Sequence, residues 1–255
     1  MVPESVIDPL DYYLNNTSNA RTLIETAIKG GVKSFIFSST AAVYGETWSE
    51  SVSEDAPQAP ISPYGRSKLM VEWMLEDASR AYDFRYVALR YFNVAGADPA
   101  GRLGQSTPKA THLIKRGVQT ALGIYSSLEI FGQDYPTRDG TCVRDYIQVT
   151  DLIDAHLAAL AYLRGGGASL VCNCGYGHGQ TVKEVVEVVK RVSGVDFGVI
   201  MSPRRPGDPA ALVARADRAK SALGWRPARD NLDEIVRQAL DWERRLHNRR
   251  PDVKP

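Results

Sequence analysis

The stretch "VKSFIFSSTAAVYG", residues 32–45, decides how this chain is read. Its first half is a short apolar run, the pattern of a parallel strand buried on both faces. Its second half sets three hydroxyls, Ser38, Ser39 and Thr40, just beyond that strand's carboxyl end. In open α/β sheets, ligands bind at that edge. Further on, "SPYGRSKLMVE" at 62–72 places Tyr64 and Lys68 four apart, behind a Ser-Pro helix start. Residues four apart on a helix share a face. Thr40, Tyr64 and Lys68 can therefore converge on one crevice.

That convergence has a chemical use. A free tyrosine titrates near ~10, too high for a good base near neutrality. A neighbouring ammonium, and the positive charge of an oxidised nicotinamide, would both favour the phenolate. A threonine hydroxyl can share the substrate's hydrogen bond and shape the proton path. Such a group removes the proton of an alcohol while hydride leaves the same carbon. Taken alone, Tyr-x-x-x-Lys reads better as an aromatic and a solvated lysine on one helix face; the company of the strand-end hydroxyls changes that.

Outward from this point, strand-like and helix-like periods alternate. Residues 8–29 read as a helix, with Asp8 as N-cap, Pro9 at the first position and Gly30-Gly31 as the stop. Residues 64–82 read as a second helix and 84–96 as a second buried strand. The polar, proline-rich stretch 40–63 is a long connection. Helices are expected at 109–123, 151–167, 181–194, 216–224 and 231–246, and strands at 127–132, 144–149 and 169–174. This order predicts an α/β fold with a mostly parallel sheet.

The bulk numbers exclude little but are useful. The chain has 255 residues, 44% apolar and 24% charged, with a net charge of +1. Near-neutrality gives no electrostatic case for nucleic acid as the main partner. The basic tail "ERRLHNRRP", 243–251, reads as a solvated helix end. Three cysteines, Cys142, Cys172 and Cys174, do not make a disulfide framework, and the last two read as packed thiols. The four histidines form no metal-ligand cluster. No long apolar run suggests a membrane span, and a reducing cytoplasm fits.

"FIFSSTAAVYG", "SPYGRSKLMVE" and "LRYFNVAGA" together resemble the extended short-chain dehydrogenase/reductase family. The later stretches "IFGQDYPTRDGTCVRDYIQVTDLIDAH", "RRPGDPAALVA" and "LGWRP" narrow the likeness to its UDP-glucose 4-epimerases. The resemblance implies a partial Rossmann-like parallel sheet over residues 1–96 and a smaller C-terminal α/β substrate domain over 97–255. The strand near 169–174 is a candidate to join the first sheet. It implies NAD as cofactor, UDP-glucose and UDP-galactose as substrates interconverted through a 4-keto sugar, and a homodimer built from helices 9–29 and 64–82. Thr40, Tyr64 and Lys68 match the catalytic group. Asn15, Ser38, Ser39, Tyr91 and Phe92, with Tyr64 and Lys68, match cofactor contacts. Asn93, His112, Arg144 and Arg205 match positions around the diphosphate, and Asp208 the carboxylate on the uridine ribose. Guanidinium forks suit a diphosphate independently of any likeness.

Departures are informative. Dehydratases of the superfamily carry an acidic pair after the threonine; here it is Ala41-Ala42, which leaves simple oxidation and re-reduction. Gln148 stands where a histidine is common, and no catalytic role is expected of it. Leu212 sits where residue size varies near the hexose, and its bulk could restrict acetamido sugars.

The glycine-rich phosphate loop of a Rossmann half is expected before residue 1, in a missing piece of about 80 residues, two βαβ units at ~30 residues each. The local substitute is "SLVCNCGYGHGQTVKEVV", 169–186. Its third glycine falls one place early for the dinucleotide fingerprint. Thr181 and Glu184 make a capping box that explains the turn without a ligand. Two other readings stand beside the epimerase: a non-catalytic nucleotide-sugar-binding or assembly-only fragment, and another NAD-dependent sugar-nucleotide enzyme such as a decarboxylase.

Overall fold

The structure is a computed structural model and describes residues 2–47, 51–107 and 110–249. In chain order it runs α1 (Val2–Ile7), α2 (Pro9–Tyr13), a π turn (Leu14–Ser18), α3 (Asn19–Lys29), β1 (Ser34–Ser38), a 3-10 turn (Ala41–Val43), α4 (Pro63–Ala81), β2 (Arg85–Tyr91) and β3 (Asn93–Ala95). It continues with α5 (Leu113–Ala121), β4 (Ser127–Phe131), β5 (Val143–Arg144), β6 (Tyr146–Gln148), α6 (Val149–Arg164), β7 (Leu170–Cys174) and β8 (Gln180–Thr181). It closes with α7 (Val182–Ser193), β9 (Gly198–Ser202), β10 (Ala211–Leu212), α8 (Asp217–Ala222) and α9 (Leu232–Arg249).

The main sheet has the order β1-β2-β7, all parallel, with Ser38 opposite Leu89 and Tyr91 opposite Cys174. Helices cover both of its faces, which is why the strands read as unbroken apolar runs. Tyr86 and Ala88 face α3 and α4, meeting Ile24, Val71 and Leu75. Val87 and Leu89 point the other way, onto Leu152, Ala155 and Ala159 of α6. The fold is α/β and Rossmann-like. Strand 170–174, from late in the chain, lies within this first sheet.

Smaller sheets build the other side. β3 pairs with β6, β4 with β9, and β5 lies between β10 and β8. Helices α5, α7 and α9 pack on one another around Val118, Val185 and Leu240.

Several elements differ from the sequence expectation. The helix over 8–29 has Asp8, Pro9 and Gly30 in the expected roles, with the Asp8 carboxylate accepting from Asp11 N at 3.2 Å. A further helical turn precedes it, and a π turn interrupts it. That turn aims Asn16 and Thr17 at α4, where both bond Ser67, at 3.1 and 3.2 Å. The strand expected over 84–96 splits at Phe92, because its two halves pair with different partners, β7 and β6. The strand expected over 144–149 splits around Asp145, whose side chain is wholly buried. α6 starts two residues early because Gln148 caps it, accepting from Thr150 N and Asp151 N. β8, β9 and β10 carry too few residues or too little alternation to be read beforehand. Trp48–Glu50 of the long connection, Lys109 of the expected 109–123 helix, and Arg250 and Pro251 of the basic tail lie outside the described residues. Among those described, no helix is long and apolar enough to cross a membrane.

Candidate active site

The carboxyl ends of β1 and β2 open on a cleft of about 860 Å³. Its walls bring together Thr40, Tyr64, Tyr91, Phe92, Asn93, His112, Arg144, Arg205 and Asp208. These come from six separate stretches of sequence.

Thr40 and Tyr64 meet because α4 begins hard against the turn after β1. Ser62 caps α4, accepting from Gly65 N at 3.1 Å, and Pro63 occupies the first helical position. Gly65 makes the approach possible. A Cβ there would stand 2.5 Å from the carbonyl oxygen of Ala42 and 2.9 Å from Pro60. Thr40 caps the 3-10 turn through Ala42 N and lines the same cleft as the Tyr64 phenol. Burial pushes the Tyr64 phenol above its ordinary range, and the nearby Thr40 hydroxyl opposes that shift.

Lys68 lies one turn along α4, its ammonium 4.4 Å from the centre of the Phe37 ring. Burial lowers its pKa to about 8, against the opposing pull of the Glu72 carboxylate. Among the described residues this ammonium has no hydrogen-bond partner. A half-buried donor left without an acceptor, beside a phenol at the strand ends, fits the hydroxyls of a bound dinucleotide.

The remaining cofactor-side residues divide. The Ser38 hydroxyl lies 2.9 Å from His156 Nε2, and burial pushes the pKa of the Tyr91 phenol up to about 12. Ser39 is wholly buried and donates to Glu72, so its side chain faces the interior. Asn15 is exposed on the π turn and donates to Asn16 at 3.3 Å.

Elsewhere in the cleft wall, two guanidiniums share one carboxylate. Arg205 donates to Asp208 at 3.0 Å, and Arg144 lies 3.9 Å from its other oxygen. The cluster keeps a net positive charge. Arg205 also covers the Phe131 ring, 4.4 Å from its centre. Phe131, Glu129, Arg116 and Tyr125 line the cleft and were not found by sequence reasoning. Arg116 stacks 3.3 Å above the Tyr125 ring. Nothing local marks these residues: Glu129 and Phe131 are placed by the parallel packing of β4 on β9, and Arg116 of α5 by its stacking on Tyr125 in the turn before β4.

The glycine segment 175–179 holds a carboxylate of the chain itself. Asp145 accepts from Tyr176 N and Gly177 N, each at 2.9 Å, and from Ala214 N at 3.2 Å. A Cβ on Gly175 would lie 2.6 Å from that carboxylate. The capping box of Thr181 and Glu184 is present. Gln148 donates to Ala97 O and Gln238 Oε1 at 2.8 and 2.9 Å, so its amide is fully engaged. Leu212 is buried among Ala41, Val43 and Phe92.

The fold and the paired tyrosine and lysine at the strand ends define the class, and comparison with known proteins agrees. The pattern of the NAD dependent epimerase/dehydratase family matches residues 1–175, and the chain belongs to that family. A UDP-glucose 4-epimerase of Azospirillum brasilense is 59% identical over 246 residues, covering 96% of this chain and 71% of the relative. The crystal structure of UDP-glucose 4-epimerase from Brucella ovis in complex with NAD is 44% identical, with a TM-score of 0.90, and covers 94% of this chain and 74% of that one. The UDP-Glc/GlcNAc 4-epimerase of Campylobacter jejuni is 54% identical, with a TM-score of 0.80, over 96% of this chain and 74% of that one.

Proposed function

We propose that this protein is an NAD-dependent epimerase that interconverts UDP-glucose and UDP-galactose at C4. One observation carries the reading: a single cleft of about 860 Å³ holds the Thr40–Tyr64 pair together with the Arg144–Arg205–Asp208 cluster. A volume of that order suits a sugar nucleotide.

Lys68, Tyr64 and Tyr91 hold the cofactor's reactive end, and Lys68 supplies donors to its hydroxyls. Bound NAD supplies reversible hydride acceptance at the sugar's C4. Tyr64 takes the proton of the 4-hydroxyl and later returns it. Its phenol needs help to ionise, because burial alone raises its pKa. The Thr40 hydroxyl opposes that shift, and the positive charges of Lys68 and of an oxidised nicotinamide would favour the phenolate further. Thr40 orients the hydroxyl being deprotonated. Arg144 and Arg205 anchor the diphosphate while the keto sugar turns to present its other face, and Asn93 and His112 line that path. Asp208 keeps the two guanidiniums in place and faces the ribose. Ser38 neighbours Tyr91, and Ser39 acts from beneath. Asn15 lies at the outer edge of this arrangement.

The chain's division into a cofactor part, 1–96, and a substrate part, 97–255, belongs to the same proposal, with β7 lent by the second to the first. So does a homodimer formed across α1–α4, where Ile7, Leu10, Leu23 and Trp73 are exposed by 85, 77, 59 and 53%. Three free, buried cysteines support a reducing, cytoplasmic setting.

The test is conversion of UDP-galactose to UDP-glucose by the purified protein with NAD. Turnover is expected where the chain is joined to a glycine-rich phosphate-binding half, and there Tyr64→Phe should lower it ~10²–10⁴-fold with binding of the sugar nucleotide retained. Binding without turnover would favour a nucleotide-sugar-binding protein, and release of carbon dioxide from UDP-glucuronate would favour a decarboxylase.

A further inference from the structure

Beneath the site lies a buried cluster that touches none of the reacting groups. The Glu72 carboxylate, on α4, accepts from Arg90 Nε at 3.0 Å and from Arg90 Nη2 at 2.5 Å. It also accepts from the Ser39 hydroxyl. Arg90 Nη1 donates on to the Tyr44 phenol at 3.0 Å, and that phenol donates to Asn173 Oδ1 at 2.7 Å. Ser39, Glu72 and Arg90 are exposed by only 0, 4 and 2%.

The placement of the three is systematic. Ser39 immediately precedes Thr40. Arg90 immediately precedes Tyr91. Glu72 lies one helical turn beyond Lys68, which itself lies one turn beyond Tyr64. Each member is covalently adjacent to, or stacked along a helix with, a group that lines the cleft or flanks it. We infer that Glu72, clamped by Arg90 and Ser39, is a positioning residue: it fixes β1, β2 and α4 in one mutual register and holds a negative charge next to the Lys68 ammonium. The inference deepens the epimerase reading and rests on it for the reaction being served.

A buried ion pair is weak evidence for stability in itself, since well-packed apolar groups often do as well. What an apolar replacement could not supply is geometry and sign. Guanidinium and carboxylate meet in a planar fork, which sets angle as well as distance. The Ser39 bond brings the backbone of Thr40 into the same lock. The charge acts on Lys68 against burial, which favours the neutral amine. The other ionisable groups facing this region are Glu4 and Tyr12 of α1 and α2, with the Tyr12 ring edge-on to Tyr64 at 6.4 Å, Tyr86, Arg90 and Tyr91 of β2, Tyr44 after the 3-10 turn, the buried Glu54, which accepts from Asn173 N at 2.8 Å, and His156 of α6, 2.9 Å from Ser38. Among the described residues, Glu72 is the carboxylate on the helix of Lys68 within one turn of it.

The test compares the parent with Glu72→Gln, Glu72→Asp and Ser39→Ala in the purified protein. The first readout does not use turnover: trace acetylation of Lys68 against pH, read by peptide mass spectrometry. Glu72→Gln should move the Lys68 midpoint about one unit lower, roughly a tenfold change in its ionisation ratio, whereas Glu72→Asp keeps the charge and the parent midpoint. The second readout is steady-state kinetics. Glu72→Asp and Ser39→Ala should each lower kcat about tenfold or more through misplacement, with KM for the sugar nucleotide little changed. A Lys68 midpoint unmoved in folded Glu72→Gln overturns the inference. If Glu72→Gln does not fold, Ser39→Ala decides alone, because it leaves the Arg90 pair whole; full kcat in that variant overturns it. A parent inactive on UDP-galactose whose Lys68 midpoint still shifts in Glu72→Gln would remove the epimerase reading and leave the charge coupling standing.

Discussion

Lys68, proposed as a cofactor contact, is an ammonium held at the expense of the fold. Its pKa of about 8 lies below that of an unfolded lysine, 10.5. Between those values the unfolded chain binds a proton that the folded one does not, so this group makes stability rise with pH across that window. Below it, the charged ammonium is retained in a half-buried site. Lys68→Met should therefore be more stable than the parent below pH 8, by a margin that shrinks toward pH 10.5. Urea unfolding of both proteins across that range checks this, and a constant margin would refute it. Arg205 allows a second measurement. Hydrogen bonds to charged groups contribute roughly 1.5–3 kcal/mol, so calorimetry with UDP should show Arg205→Ala binding weaker by that order. Unchanged affinity would remove Arg205 from the site. At this scale the sequence is legible where a residue's neighbours in the chain are also its neighbours in the site. Tyr64 and Lys68 share one helix. Phe131 could not be read, because its placement depends on a strand pair whose members lie about 70 residues apart.

Among the elements, α4 carries the most. Its outer turn bears Tyr64, its next turn Lys68, its third Glu72, and its inner face Val71 and Leu75 in the core. All of this depends on how closely its first turn approaches the Ala41–Val43 turn. Gly65→Ala would force a methyl group against a backbone oxygen that no rotamer change can move aside. We expect kcat to fall about 10²-fold from a shift of order 1 Å, with the helix itself intact, because alanine is the better helix former. Circular dichroism alongside kinetics separates the two effects; loss of helix together with activity would contradict the account. The caps of α2, α4 and α7 were legible because capping chemistry is local. The π turn was not, since the side chains it presents, Asn16 and Thr17, find their partner Ser67 on another helix.

For the molecule as a whole, the exposed apolar side chains of α1–α4 are the face of the proposed homodimer. Light scattering at micromolar concentration should give a dimer, and Trp73→Glu should shift it toward monomer; a well-folded monomeric parent would contradict the proposed face. The parallel, doubly covered sheet was legible from its apolar runs, whereas which strand lies beside which was only partly so. β7 completes that sheet from far down the chain, and this has a consequence in time. During synthesis β2 emerges about eighty residues ahead of its partner, which at 5–20 residues per second is a wait of roughly 4–16 s. Through that interval one edge of an apolar strand stays open on the ribosome. The nascent chain is then a client for whatever shields such edges, long before the finished protein has any substrate to meet.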